Sequence, residues 1–249
     1  MYMKLKYFLF IFISSLLFFS CSEDNDITTP RNLEEYITTN SSRTLDEVIV
    51  CAATADGSTS TTYIFYYPID GATDIRYYET EGTDVDENDF SNYRRESLTS
   101  SDVFGGKLEQ FTRSDSEEAW CIVTYLTDGK FHKSNPIRLK NASNSTVWEE
   151  EVEIDQTESL MPKFTWSDFD TTENAIYFQV ISDEDDEFIS GTYTYDQYFQ
   201  FYDTNNVVLN INTTTPEDLV AEATYNFTLM AVSEDNWVNL VIENSFTAQ

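Results

Sequence analysis

The hydrophobic and polar positions of this chain follow a short-period pattern from residue 45 to the end. Runs rich in Val, Ile, Thr, Tyr and Phe alternate with clusters of Gly, Asp, Asn and Ser. β-Branched and aromatic residues favour strands, and the polar clusters favour turns. No long run keeps the period of a helix, so the chain is predicted to be all-β. The predicted strands cover residues 48–55, 61–69, 74–80, 119–126, 130–139, 161–169, 174–182, 192–202, 207–212, 223–232 and 236–246.

A polar stretch without an apolar period, residues 140–147, divides this pattern into two parts. The first part, residues 45–140, contains Thr127-Asp128-Gly129-Lys130, in which Asp-Gly is a strong signal for a two-residue hairpin turn. The second part is residues 147–249. Each part has the length of an immunoglobulin-like sandwich, about 100 residues. The sequence therefore predicts two tandem β-sandwich domains.

The N-terminus has the layout of a secretion signal. Lys4 and Lys6 precede an apolar run over residues 7–20, and polar, acidic sequence follows at once. A membrane-spanning helix needs about 20 apolar residues, so this run is short for a permanent span. Residues 1–20 are therefore predicted to be a signal peptide that is removed from the mature protein.

Cys21 stands at the predicted cleavage point, between the small residue Ser20 and the acidic sequence SEDND. This junction resembles those of bacterial lipoprotein precursors, and the leader and acidic tract are similar to those of Bacteroidota surface lipoproteins. The resemblance implies that Cys21 is lipidated and that the protein is anchored in the outer membrane, facing the exterior. A plain secreted protein is the alternative. Residues 21–44 would form the lipidated cysteine and a flexible tether, in which residues 32–37 could form one helical turn.

The second half contains landmarks of a known fold. Leu219 precedes Tyr225 by six positions, and Trp166 follows Phe164 on a predicted strand. These residues resemble a fibronectin type III domain. The resemblance implies that Tyr225 forms the tyrosine corner, with its hydroxyl bonded to upstream backbone, and that Trp166 lies in the core. The first half is similar but matches less closely, with Trp120 where the corner tyrosine would be.

The charge of the chain limits its partners. Among 249 residues, 14 are Lys or Arg and 45 are Asp or Glu, which gives a formal net charge of −31. Nucleic acid needs a basic surface, so this balance argues against it as a partner. No Lys or Arg follows Lys163. Such a field repels anionic ligands and favours cations or neutral sugars.

The sequence offers little for catalysis. A hydrolase triad needs a nucleophile, a base and an orienting acid, and His132 is the single histidine. It lies in Phe131-His132-Lys133, just past the predicted hairpin turn, where a solvated strand residue is expected. Neither a nucleophile elbow nor a phosphate-binding loop is present. The chain is therefore predicted not to be an enzyme.

One segment resembles the start of a calcium loop. Asp84, Asp86 and Asn88 place oxygen atoms at its positions 1, 3 and 5, but Asp89 stands at position 6, where an EF-hand has Gly. A second acidic run covers residues 182–187. Both are expected to be solvated loops, with bound Ca²⁺ as the alternative. No other metal and no cofactor is predicted.

The chain is also rich in aromatic residues, with 16 Tyr, 18 Phe and 4 Trp, most of which are expected in the core. If residues 192–202 form one strand, Tyr198 and Tyr202 lie together on its exposed face. Alternation along the last predicted strand places Trp237 outside as well. Exposed rings beside amides suit a sugar, so Tyr198, Tyr202 and Trp237 are the candidate ligand-binding residues. Protection of an edge strand, or packing between domains, is the alternative.

Two further cysteines, Cys51 and Cys121, lie 70 positions apart on predicted strands of the first domain. Export to an oxidising compartment permits a disulfide between them. Closing so long a loop could stabilise the fold by about 4 kcal/mol in the chain-entropy model. Free Cys is also a common small core residue, so both states stay open.

These observations predict a non-catalytic surface lipoprotein that acts as a binding or spacer module. The general resemblance to surface lipoproteins of Bacteroidota nutrient-uptake systems implies accessory capture of neutral glycans. The alternative is an adhesion or assembly module whose partner is another surface protein. In both cases the membrane is reached through the lipid anchor.

Overall fold

The computed structural model describes Pro30 and residues 32–249. The predicted signal peptide, Cys21 and the first part of the predicted tether lie outside these residues. Residues 32–249 belong to one compact unit, which is nearly all β and is built of immunoglobulin-like or fibronectin-like sandwiches. The all-β fold class is thus confirmed. Within the described residues, no helix has the length and apolar character needed to cross a membrane.

The described chain forms helix α1 (Leu33–Thr39), nineteen strands and a short 3-10 helix (Phe90–Asn92) between the fourth and fifth strands. The first ten strands are β1 (Thr44–Glu47), β2 (Val50–Thr54), β3 (Thr61–Tyr66), β4 (Thr73–Glu79), β5 (Arg94–Glu96), β6 (Thr99–Val103), β7 (Leu108–Ser114), β8 (Trp120–Thr127), β9 (Lys130–Lys133) and β10 (Ile137–Arg138). The other nine are β11 (Val147–Glu149), β12 (Glu153–Asp155), β13 (Lys163–Thr165), β14 (Ile176–Asp183), β15 (Phe188–Thr194), β16 (Tyr198–Gln200), β17 (Val207–Asn210), β18 (Thr224–Val232) and β19 (Val238–Thr247).

These strands make four sheets, which we name A to D. Sheet A has the order β1-β9-β8-β4-β5, with β10 also on β8, and sheet B has the order β2-β3-β7-β6. Sheet C has the order β11-β19-β18-β14-β15-β17, and sheet D the order β12-β13-β16. Each of the two large sheets contains one parallel pair, β1 with β9 in sheet A and β11 with β19 in sheet C. The hairpin predicted at Asp128 and Gly129 joins β8 to β9, and Gly129 has a φ of 72°.

Three apolar clusters join the sheets in the order A, B, C and D. They include Tyr77 and Ile64 between A and B, Phe65 and Met230 between B and C, and Phe164 and Phe227 between C and D. Sheets B and C are therefore covered on both faces, and the two sandwiches share an apolar core where these sheets meet. A strand buried on both faces has a nearly continuous apolar sequence, as residues 63–66 of β3 do. The division into two domains at residues 140–147 stays a prediction.

Helix α1 covers the outer face of sheet A. Its N-cap is Asn32, whose side chain accepts a hydrogen bond from the backbone N–H of Glu34 at 2.8 Å. Leu33 and Tyr36 are buried and pack with Tyr78 of β4. The helical turn expected at this point is present, and it belongs to the folded body. The part of the predicted tether that begins at residue 32 is therefore folded against the sheet.

The stretch predicted as one strand over residues 192–202 is two strands in different sheets. Strand β15 ends at Thr194 in sheet C, the chain crosses over at residues 195–197, and β16 continues in sheet D. The Thr194 hydroxyl donates a hydrogen bond to the carbonyl oxygen of Asp196 at 2.8 Å, which fixes the crossing. The prediction of one continuous strand was wrong, and Tyr195, which alternation along such a strand would place on the face opposite Tyr198 and Tyr202, is 68% exposed.

The fibronectin-like landmarks of the second half are confirmed. The hydroxyl oxygen of Tyr225 accepts a hydrogen bond from the backbone N–H of Val220 at 2.9 Å, which closes the tyrosine corner. Leu219 is buried in the cluster between sheets C and D. Trp166 lies in the same cluster, with its ring edge-on to Tyr177 at a centroid distance of 5.5 Å.

Candidate functional site

A cavity of about 400 Å³ lies beside the edge strand β17 of sheet C, and Tyr202 forms part of its wall. We call it the Tyr202 pocket. Residues of β15, β16 and β17 and the segment 212–216 line it. Its polar lining includes Ser190, Thr192, Asp203, Asn210 and Asn212.

The position of the Tyr202 ring is determined by its backbone conformation and by the hydrogen bonds of its hydroxyl group. Its backbone has a φ of 69°, which is uncommon for a residue other than glycine. Its hydroxyl donates a hydrogen bond to Oδ1 of Asp218 at 2.6 Å and lies 2.9 Å from the carbonyl oxygen of Pro216. Desolvation, the hydrogen bond to Asp218 and the nearby negative charges raise the pKa of Tyr202 to about 12. The phenol is therefore protonated at neutral pH and remains a hydrogen-bond donor.

Some polar groups of the Tyr202 pocket make hydrogen bonds within the protein, and others are available to a ligand. Oδ1 of Asn212 accepts a hydrogen bond from the backbone N–H of Gly191 at 3.0 Å, and its Nδ2 donates to Oγ of Ser190 at 3.3 Å. Asn210 accepts from the backbone N–H of Asn212 at 2.8 Å. Asn212 thus holds the wall together, whereas the donor nitrogen of Asn210 makes no hydrogen bond within the described residues and can serve a ligand.

Tyr198 lies on β16 at the outer face of sheet D and does not line the Tyr202 pocket. It is 38% exposed, in agreement with the prediction. The ammonium nitrogen of Lys163 lies 4.7 Å from the centroid of its ring. This cation occupies one face of the ring, so Tyr198 offers a ligand less aromatic surface than the sequence indicated.

Trp237 is buried, with 0% of its surface exposed, so the prediction that it is exposed was wrong. Its ring packs in the cluster between sheets A and B, among residues of the first half. Its indole N–H donates a hydrogen bond to the carbonyl oxygen of Asn144 at 2.8 Å. Alternation along the last strand failed as a guide because Trp237 lies just before β19 and bridges to Ala52 of β2, which carries its ring into the core between sheets A and B. Of the three candidate residues, Tyr202 is the one that lines the cavity.

The two acidic segments use their carboxylates to close their own turns. Oδ1 of Asp86 accepts from the backbone N–H of Asn88 at 2.9 Å. Oδ1 of Asp183 accepts from the backbone N–H of Asp185 at 3.0 Å and from that of Glu187 at 2.9 Å. Within residues 32–249, no group of three or more His, Cys, Asp or Glu side chains is placed to hold a metal ion.

Cys51 and Cys121 are both free thiols, so the disulfide that the sequence left open is not present. Cys51 lies on sheet B and packs on the cluster shared with sheet C, whereas Cys121 lies between sheets A and B. The side chains therefore face different layers. Desolvation raises the pKa of the Cys51 thiol to about 12.

His132 is buried, with 1% exposed surface, and the expectation of a solvated strand residue was wrong. Its ring stacks on Tyr125 at a centroid distance of 4.5 Å. Its Nε2 lies 2.8 Å from Oγ1 of Thr127 and its Nδ1 lies 3.3 Å from the carbonyl oxygen of Glu47. Strand β1 runs alongside β9 and covers this position, so His132 is a core residue whose ring nitrogens both have partners.

No protein-family model matches this chain, and a comparison with curated protein sequences finds no significant match. Function must therefore be inferred from the cavities themselves. Sequence reasoning found Tyr202 but missed Asn210 and Asp203, which lie beside it. The strand break at residues 195–197 and the Thr-rich segment 213–215 were the signals available for this cavity.

Proposed function

We propose that this protein is a non-catalytic, surface-displayed binding module that captures neutral glycans in the Tyr202 pocket. The observation that carries the proposal is the aromatic ring of Tyr202, together with that of Phe199, in a cavity whose other lining side chains, apart from Pro216, carry hydroxyl, amide or carboxylate groups. A sugar presents an apolar face of C–H groups and a rim of hydroxyls. A flat ring with nearby polar groups is complementary to both.

The charge around the Tyr202 pocket favours a ligand without negative charge. Asp203 lines the cavity, and neither Lys nor Arg is among the lining residues. The protein as a whole carries a formal net charge of −31. This field disfavours sulfated or otherwise anionic glycans, whereas neutral sugars can donate hydroxyl hydrogens to the carboxylate of Asp203.

A glycan array followed by calorimetric titration of the glycans that bind tests the proposal. Tyr202→Leu removes the aromatic ring and should weaken binding by about tenfold or more, the usual effect of removing a central aromatic contact. Asn210→Ala removes the available donor and should also weaken binding. Tyr195→Leu is the matched control, because Tyr195 is exposed and lies outside the cavity. Equal affinity of Tyr202→Leu and the unaltered protein would disprove the assignment.

The proposed display rests on the leader, on Cys21 and on the acidic tract after it, which the sequence places at residues 1–26. We propose that Cys21 is acylated and that the body is held outside the outer membrane by the chain that links it to Cys21. Intact-mass measurement of the membrane fraction should show acyl groups on Cys21. Cys21→Ala should leave the protein soluble or unprocessed. Protease treatment of whole cells should digest the body if it faces outward.

A second candidate function is adhesion to another surface protein, and one observation favours it. Strand β17 is an edge strand of sheet C, and its side chains Val208 and Leu209 are both exposed. A partner strand can add to such an edge through main-chain hydrogen bonds. Val208→Lys with Leu209→Lys should abolish adhesion while it leaves glycan binding at the Tyr202 pocket unchanged. Adhesion that is unaffected by these two substitutions would favour glycan capture alone.

A further inference from the structure

A second cavity, of about 290 Å³, lies in the cleft between sheets B and C. Its walls come from both halves of the chain, through β3 and β6 on one side and β11, β18 and β19 on the other. We call it the B–C cleft. It shares no lining residue with the Tyr202 pocket. Ligand sites often lie between packed units of this kind.

Four aromatic rings line the B–C cleft. Tyr63 and Phe65 project from β3 with their rings edge-to-face at a centroid distance of 6.0 Å, and Phe104 follows β6. Trp148 of β11 stands on the opposite wall, where its indole N–H donates to the carbonyl oxygen of Thr54 at 2.8 Å. This hydrogen bond ties the two walls together and fixes the indole ring. Several rings around one space form a surface that attracts a cation.

Three carboxylates line the same cleft. They are Asp102 beside Phe104, Asp186 in the turn between β14 and β15, and Glu243 of β19. No Lys, Arg or His is among the residues that line the cavity. Partial desolvation and the negative charges of Asp186 and Asp56 raise the pKa of Glu243. Two of the three cleft carboxylates thus act on each other, and all three would attract a positive charge in the cleft.

We propose that the B–C cleft binds a small organic cation that bears an alkylated ammonium group. The aromatic rings contact its apolar substituents, and the carboxylates balance its charge. A metal ion fits less well, because within the described residues these carboxylates do not form a metal-ligating group. A neutral apolar molecule would fill the space but would leave the negative charge of the carboxylates unbalanced.

Choline and its uncharged isostere 3,3-dimethylbutan-1-ol test the proposal, because they share shape and differ in charge. The sample is the mature chain with Cys21→Ser, isotopically labelled for nuclear magnetic resonance. The indole N–H signal of Trp148, assigned by its loss in Trp148→Phe, reports on the cleft. We expect choline to shift this signal saturably, with a Kd about tenfold or more below that of the isostere. Equal affinity of the two compounds would overturn the proposal, and so would the absence of a saturable shift with choline.

Two double variants with the same change in net charge separate the effect of the cleft carboxylates on binding from the effect of the protein's overall negative charge. Asp102→Asn with Glu243→Gln removes two charges from the cleft and should weaken choline binding by about tenfold. Glu81→Gln with Asp84→Asn removes two exposed charges that do not line the cleft, and should change the Kd by less than about twofold. An equal loss in both pairs would overturn the proposal, because the cation would then respond to net charge alone.

A calcium titration at matched ionic strength completes the test. If Ca²⁺ produces the same saturable shift of the Trp148 signal as choline does, the cleft takes cations without regard to their alkyl groups, and the proposal fails. A Ca²⁺ response that is weak and does not saturate supports it. Thermal melts of both variant pairs should match the parent protein, since Asp102, Glu81 and Asp84 are exposed. Glu243 also has an exposed side chain, although nearby protein atoms partly desolvate its carboxyl.

Discussion

The indole N–H of Trp237 donates a hydrogen bond to the carbonyl oxygen of Asn144, 2.8 Å away. The ring itself packs with Ala52 and other residues between sheets A and B. Next to it, the backbone N–H of Ala52 donates to the carbonyl oxygen of Asn236 at 3.0 Å. A residue encoded in the second half of the chain therefore completes the core of the first sandwich, and the two halves are joined through it.

Trp237→Ala should destabilise the whole described body. Truncating a buried ring of this size leaves a cavity and typically costs about 3–5 kcal/mol. Because the ring belongs to the first core and its backbone to the second half, both sandwiches should unfold at a lower temperature. Calorimetric melts measure this effect, with Tyr195→Ala as the exposed control, for which little change is expected. A melt of Trp237→Ala that matches the parent protein would show that the ring is not in the core.

Tyr225→Phe should cost about 1 kcal/mol, because it removes the acceptor for the backbone N–H of Val220 while the ring stays buried. Urea unfolding measures the difference in the free energy of unfolding. Tyr195→Phe removes a hydroxyl from an exposed ring and should have no measurable effect. Equal stability of the two variants would mean that the corner hydrogen bond contributes nothing.

Docking of helix α1 should weaken in acid. Asp74 accepts a hydrogen bond from Tyr36 of α1 at 2.7 Å and one from Nε of Arg76 at 2.8 Å. Burial alone would raise the pKa of Asp74, but these hydrogen bonds outweigh it and hold the pKa below its usual value of 3.8. A lowered carboxyl pKa stabilises the docked state above pH 3.8, and this contribution is lost as the pH falls through the lowered value.

Hydrogen exchange of the α1 amides between pH 7 and pH 2, corrected for intrinsic exchange, measures this loss. Protection of α1 should fall in acid before that of β8, which lies at the centre of sheet A. Asp74→Asn removes the titrating group, so in this variant protection of α1 should be lower at pH 7 and should change less with pH. Unchanged protection of α1 down to pH 2 would contradict the role given to Asp74.

Thiol titration should find Cys51 and Cys121 unpaired. In a Cys21→Ser protein purified without reductant and then denatured, two thiols should react. In the native protein both should react slowly at pH 8, because Cys121 is buried and the pKa of Cys51 is raised to about 12. Finding no reactive thiol after denaturation would show that the cysteines are bonded.

Local features of the fold could be predicted because neighbouring residues determine them. Asp128 and Gly129 produce the hairpin between β8 and β9, and the spacing of Leu219 and Tyr225 marks the tyrosine corner. Both depend on backbone geometry within a few residues. The all-β class followed in the same way, from short runs of β-branched and aromatic residues between turn residues.

Strands β6 and β7 were missed because their polar residues obscure the pattern. The sequence of β7 includes Arg113, which is buried and forms an ion pair with Glu79 at 2.6 Å. That partner lies on β4, far away in the sequence. A strand that contains a charged residue looks like a loop in the sequence. Only the folded structure shows that a distant residue neutralises the buried charge.

The candidate site also has some features that could be predicted from the sequence and others that depend on the tertiary structure. Tyr202 could be found from the sequence as an aromatic residue with polar neighbours, but the crossing between sheets C and D decided that it lines a cavity while Tyr198 does not. Trp237 was assigned to the wrong environment because alternation along one strand reports two faces and not what covers each face. Whether a face meets solvent or a second sheet depends on contacts between residues distant in sequence. Burial, and with it the choice of which aromatic rings can meet a ligand, was therefore decided by the tertiary structure.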